Sequence, residues 1–155
     1  MRTESMDAAP RSRWVIGRRE AIMGGLIAWL AGCAPRRQRI DTEAVQAELQ
    51  AAADGCAGYV KGRVQVQDSG QVGTVIGGVL TVTGTGREEV AAPFSEVLET
   101  ITARWIAMGD APVADVRAEA RSTADPSLAL TTAEAVGAGG GATVTTDDLR
   151  ERFGL

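Results

Sequence analysis

"TVIGGVLTVTGTGREEVAAPFSEVLETITARWIAM", residues 74–108, changes its hydrophobic period midway. Up to Val82 the stretch is rich in Val, Ile and Thr and reads as a strand. From Phe94 onward the apolar positions are Val97, Leu98, Ile101, Trp105 and Met108, a helical stripe. A strand, a loop over Thr83–Arg87 and an amphipathic helix follow one another. Proline has no N–H and suits a first helical turn, so Pro93 predicts that helix is absent or kinked over 88–92. Gly77-Gly78 inside the strand predicts a bulge or the close approach of another backbone.

Upstream, "YVKGRVQVQ" (59–67) places Val60, Val64 and Val66 on one face and Lys61, Arg63, Gln65 and Gln67 on the other, a half-buried strand. "DSGQ" (68–71) reads as the turn that follows it. Before this strand, "DTEAVQAELQAAAD" (41–54) carries an apolar stripe through Val45, Leu49 and Ala52 or Ala53. Asp41 or Thr42 serves as cap, and Asp54-Gly55 ends the helix. Downstream, "VADVRAEAR" (113–121) turns Ala114, Val116, Ala118 and Ala120 one way. Asp115, Arg117, Glu119 and Arg121 turn the other way, and their alternating signs invite cross-strand pairs on a solvated face.

The order over 41–121 is therefore α-β-β-α-β. It predicts an α+β fold, a small antiparallel sheet with two helices packed on one face. Residues 122–155 are expected to form an irregular C-terminal extension. "SLALTT" reads as a short strand, Thr132 as the cap of a turn, and Gly137–Gly141 as a flexible connection. "TVTTDDLRERFGL" reads as a strand end and a helix capped by Thr145 or Thr146, docking through Leu149 and Phe153. No internal repeat is read, beyond a tail that echoes part of the first unit.

Composition narrows the chemistry. The chain of 155 residues has no histidine, one lysine (Lys61) and two cysteines, Cys33 and Cys56. The commonest general base and zinc ligand is thus missing, and neither a disulfide framework nor a four-ligand zinc site can be assembled. From Ile40 onward eight basic residues stand against 17 acidic ones, net −9. Phosphate binding needs clustered cations, so nucleic acid is not an expected partner. Cys56 reads as a small buried residue, since no histidine is available to activate it. Glu88-Glu89 and Asp147-Asp148 stand at helix starts, where the dipole and capping account for them. "GAGGG" lacks the Lys-Ser/Thr ending of a phosphate loop. No catalytic residue, metal site or cofactor is expected, and the chain reads as a non-enzyme.

The first forty residues have the order of an export signal. Arg2, Arg11, Arg13, Arg18 and Arg19 precede an uncharged run from Ala21 to Ala31. That run is too short for the ~20 residues of a membrane span and fits a signal h-region. It ends in Leu30-Ala31-Gly32-Cys33, which resembles a bacterial lipobox. The resemblance implies cleavage before Cys33 and a lipid on its thiol, so Cys33 is the expected lipid-attachment residue. Residues 1–32 would be the removed signal peptide, and 33–40 a tether with Arg36, Arg37 and Arg39 beside the headgroups. Arg18-Arg19 resembles a twin-arginine signal, although Glu20 follows the pair; the general secretory route is the alternative. The Arg- and Ala-rich whole resembles an actinobacterial-type lipoprotein. The implied location is the extracytoplasmic face of the cell membrane.

The segment "GGVLTVTGTGREEVAAPFSEVL" (77–98), strand then glycine then helix, resembles the BON-type domain of bacterial envelope proteins over residues 41–121. The glycine would be Gly84 or Gly86. The glycine-valine turn of that family is missing before the last strand, where "MGDAPVADV" stands. The resemblance implies membrane or envelope contact rather than catalysis. The expectation is a lipid-anchored interaction module with an envelope protein partner. The alternative is a small-ligand or lipid carrier with a pocket between sheet and helices.

Overall fold

A computed structural model describes residues 40–70, 72–138 and 142–155. Helix α1 spans Thr42–Asp54, with Asp41 as its cap: the carboxylate accepts the Ala44 N–H at 3.2 Å. Strands β1 (Tyr59–Gly62), β2 (Gln65–Asp68) and β3 (Thr74–Val82) lead to α2 (Arg87–Ala107). Then come β4 (Ala114–Ser122), β5 (Ala129–Thr131), α3 (Thr132–Ala135), β6 (Val144–Thr145) and α4 (Thr146–Phe153). The fold is α+β, with helices packed on one mostly antiparallel open sheet.

The longest pairing in that sheet is parallel. β3 and β4 run side by side from Thr74↔Ala114 to Val82↔Ser122, with α2 as the crossover between them. Parallel neighbours need a connection of a dozen residues or more, and the helix read at 94–108 supplies it. β1 and β2 pair antiparallel with β3 on one side; β5 and β6 pair antiparallel with β4 on the other.

Two corrections to the sequence reading lie in the first half. Val60 does not share a face with Val64 and Val66. The register shifts between Tyr59 and Lys61, which leaves Val60 48% exposed while Val64 and Val66 are buried. Helix α2 runs from Arg87 and holds Pro93 in its interior, so helix is not absent over 88–92. Val90, one turn before the proline, is fully buried and gives this first turn a reason to form. The proline ring also serves a contact: Gly58 lies so close that a Cβ there would stand 2.2 Å from Pro93 Cβ.

The glycine pair in β3 behaves as its sequence suggests. Gly78 has φ +144°, and a Cβ on it would lie 2.1 Å from the Arg63 carbonyl oxygen. The β1–β2 chain therefore crosses closely over Gly78, and Val64 takes the inward position there.

The core fills the layer between sheet and helices. Trp105, Phe94, Val97, Leu98 and Ile101 from α2 meet Ile76, Leu80 and Val82 from β3 and the small Ala114, Val116, Ala118 and Ala120 from β4. Alanines on β4 let the long helix approach closely, which is how a chain with so few aromatics packs. Trp105 is buried, and its indole N–H donates to the Pro112 carbonyl at 3.0 Å.

Residues 122–155 are more regular than expected and complete the sheet: the short strand read in "SLALTT" is β5, and the strand end and capped helix read over 143–155 are β6 and α4, while the cap expected at Thr132 is Thr131. Leu130, Val144 and Leu149 belong to the same core. The tail also contains a repeat. "LTTAE" (130–134) and "VTTDD" (144–148) are 14 residues apart, and each is a strand end followed by a capped helix. In each, the first threonine, Thr131 or Thr145, is the N-cap of a capping box closed by Glu134 or Asp148. The second threonine, Thr132 or Thr146, is buried and turns its hydroxyl to β4. Leu130 pairs with Ala120 and Val144 with Val116, so the copies sit four residues apart along one strand.

Candidate interaction surface

With the helices on one side, the other face of the sheet is left uncovered among the described residues. β3 places Val75, Gly77, Val79 and Thr81 on it, and β4 places Asp115, Arg117, Glu119 and Arg121. The register fixes the rows: Gln67, Val75 and Asp115; Gln65, Gly77 and Arg117; Val79 beside Glu119; Lys61, Thr81 and Arg121. Val79 is 51% exposed and stands next to glycines, which makes it the apolar centre of a polar surface.

The charges pair along β4 and not across strands, as the alternation had suggested. Arg117 bonds Asp115 at 2.9 Å and Arg121 bonds Glu119 at 2.8 Å. Parallel pairing explains this, because the neighbouring β3 positions carry Val, Gly and Thr and offer no opposite charge. Such exposed pairs contribute under about 1 kcal/mol each, so they are available to exchange for a partner's charges.

Side chains meet backbone groups toward both flanks of the sheet. On the β1–β2 flank, Gln50 of α1 accepts the Val64 N–H at 2.8 Å and Gln46 accepts the Val66 N–H at 3.3 Å. Gln50 also donates to the Tyr59 hydroxyl at 2.9 Å, which itself donates to the Gly62 carbonyl at 2.8 Å. On the β4 flank, between β5 and β6, the Thr132 hydroxyl accepts the Ala118 N–H at 3.1 Å and donates to the Ala118 carbonyl at 3.0 Å. The Thr146 hydroxyl accepts the Ala114 N–H at 3.1 Å.

The residues singled out in the sequence fall apart from one another. Cys33 and the tether arginines lie outside the described residues, as do Gly139–Gly141 of the glycine run. Cys56 is buried and unpaired, its thiol directed to the Ala52 carbonyl at 3.6 Å. Glu89 accepts both the hydroxyl and the N–H of Thr85, which hold its carboxyl below the usual range, hydroxyl first. The Thr145 hydroxyl and then its N–H lower Asp148 in the same way, whereas for Glu134 the Thr131 N–H leads and the hydroxyl and Arg87 follow. The carboxylate pairs are therefore spent on helix starts. Among the described residues no group of three or more His, Cys, Asp or Glu gathers where it could hold a metal ion. No described helix is long and apolar enough to cross a membrane.

The sequence reads Thr132 as a cap and leaves the cap of the last helix between Thr145 and Thr146; the caps are Thr131 and Thr145, and the buried Thr132 and Thr146 bond to β4 instead. The signal was present in the doubled "TT" followed two residues later by an acid, repeated at 14-residue spacing. No protein-family model, curated protein or solved structure matches the chain.

Proposed function

We propose that the chain is a lipid-anchored extracytoplasmic envelope protein, attached through Cys33, whose domain is a non-enzymatic interaction module. In this reading the uncovered sheet face engages an envelope protein partner. The observation that carries it is the two-layer architecture: helices cover one face completely and leave the other, with Val79 at its centre and exchangeable ion pairs around it, to solvent. The lipobox-like Leu30-Ala31-Gly32-Cys33 supports the anchor. Seven residues from Cys33 to Ile40 reach at most about 25 Å, so anchoring would keep the domain beside the bilayer. The BON-type resemblance of 41–121 supports envelope contact.

Labelled fatty acid tests the anchor: incorporation should vanish in Cys33→Ala, and a Cys33→Ala chain that stays processed and labelled would end the reading. A photo-crosslinking residue at Val79 tests the face in membranes. Adducts should form from position 79 and not from Glu99 on α2. Equal yields from both positions, or none from 79, would remove the face from the reading.

A further inference from the structure

Apart from the sheet face, one depression combines an apolar lining with an unopposed charge. It lies where the start of α1 meets the end of α2, measures about 360 Å³, and is lined by Ile40, Val45, Trp105, Met108 and Ala111 with Asp41 and Asp110. That size is at the small end of ligand pockets. Both aspartates are exposed, and among the described residues no basic side chain lines the pocket. The nearest ion pair on these helices, Arg104–Glu48, is closed on itself.

Two further features set the sign of the charge that fits. α2 is 21 residues long and ends at this pocket, so the negative end of its dipole adds to the carboxylates. The positive end of α1 also points here, but Asp41 already meets it by accepting the Ala44 N–H at 3.2 Å. Asp110 remains as the uncommitted anion. The floor is rigid, because the Trp105 indole is held by its bond to the Pro112 carbonyl.

We propose that this pocket binds a small organic cation with an apolar body, an alkylammonium seated on Met108 and Val45 above the buried Trp105, with its charge between Asp41 and Asp110. The site stands beyond the anchor and the sheet face and fails or holds independently of them. Apolar contact without the carboxylates would accept any alkyl chain. The carboxylates are what select a cation.

The test uses the full chain with Trp14→Phe and Trp29→Phe, which leaves Trp105 as the single tryptophan. Hexyltrimethylammonium should change Trp105 emission saturably, while hexyl sulfate and hexanol should bind at least about tenfold more weakly. The double variant Asp41→Asn, Asp110→Asn should lose about tenfold for the cation and leave hexanol unchanged. Asparagine retains the capping of α1, so the variant folds, and circular dichroism checks this. Equal binding of the three probes, an Asn variant that binds the cation as before, or no saturable response overturns the proposal. So does a response to a lysine-rich peptide in the absence of one to the alkylammonium, which would make the pocket a peptide contact.

Discussion

Replacing Thr132 by valine exchanges a hydroxyl for a methyl of nearly the same size, so the packing stays and only the bonds to β4 go. The Thr132 hydroxyl serves both the N–H and the carbonyl of Ala118, at 3.1 and 3.0 Å, and the residue is 2% exposed. Each buried group left unpaired costs about 1–3 kcal/mol. Two such groups, less the small gain from an extra buried methyl, give a loss of about 2–4 kcal/mol for Thr132→Val. Thr146 answers only the Ala114 N–H, so Thr146→Val should lose about 1–2 kcal/mol. Urea unfolding followed by Trp105 emission in the chain lacking Trp14 and Trp29 measures both. With a slope of about 1–3 kcal/mol per molar, Thr132→Val should lower the midpoint by about 1–2 M. Thr132→Ser keeps the hydroxyl and should recover most of the loss. If Thr132→Val stays within about 0.5 kcal/mol of the parent, or the two valine variants cost the same, the hydroxyl does not close the β4 flank.

Gly78→Ala should destabilise by about 3–5 kcal/mol, because the new Cβ meets the Arg63 carbonyl at a φ that disfavours side chains; a midpoint shift corresponding to less than about 1 kcal/mol would contradict the close crossing. Gln50→Leu leaves the Val64 N–H without its acceptor and should cost about 1–2 kcal/mol while promoting concentration-dependent association through the β1–β2 flank; light scattering reads the second effect. The acids Glu89, Glu134 and Asp148, each bonded to a threonine at a helix start, have carboxyls lowered in the folded state, so their contribution is present above the unfolded carboxylate range and is lost as pH falls through the folded values. Urea midpoints should therefore drop below about pH 4, and the drop should be shallower in the double variant Glu134→Gln, Asp148→Asn; a midpoint unchanged from pH 5 to 3 would refute the assignment.

The elements that carry a long hydrophobic period were legible. Phe94 to Trp105 announced α2, Leu49 and Ala53 announced α1, and the alternation at 114–121 announced β4 with its charged row outward. Two things defeated the reading. A single-residue shift at Val60 is invisible to an alternation that continues on either side of it. Pro93 suggested a boundary, but the buried Val90 and the packing of Gly58 on the ring outweigh one missing hydrogen bond. The tail was legible from its turn and cap residues rather than from periodicity, because its strands have three and two residues, too short for any period to show. What specifies them is side-chain chemistry, a capping threonine followed by a threonine that bonds to a neighbouring strand.

That chemistry bears on how the sheet can meet another protein. A strand partner would need free backbone groups along a flank, and the exposed flank is where sheets ordinarily pair. Here the Val64 and Val66 N–H groups are held by Gln50 and Gln46, and the Ala118 and Ala114 groups by Thr132 and Thr146. Recruiting a strand at any of these positions first requires breaking a bond within the domain. The uncovered face imposes no such cost: the ion pairs on β4 are solvated and weak, and Val79 is exposed already. On the proposed reading, a partner docks by side chains onto the face. Substituting Val79 or reversing Arg117 and Arg121 should then weaken binding without loosening the fold, whereas Gln50→Leu should loosen the fold without weakening binding.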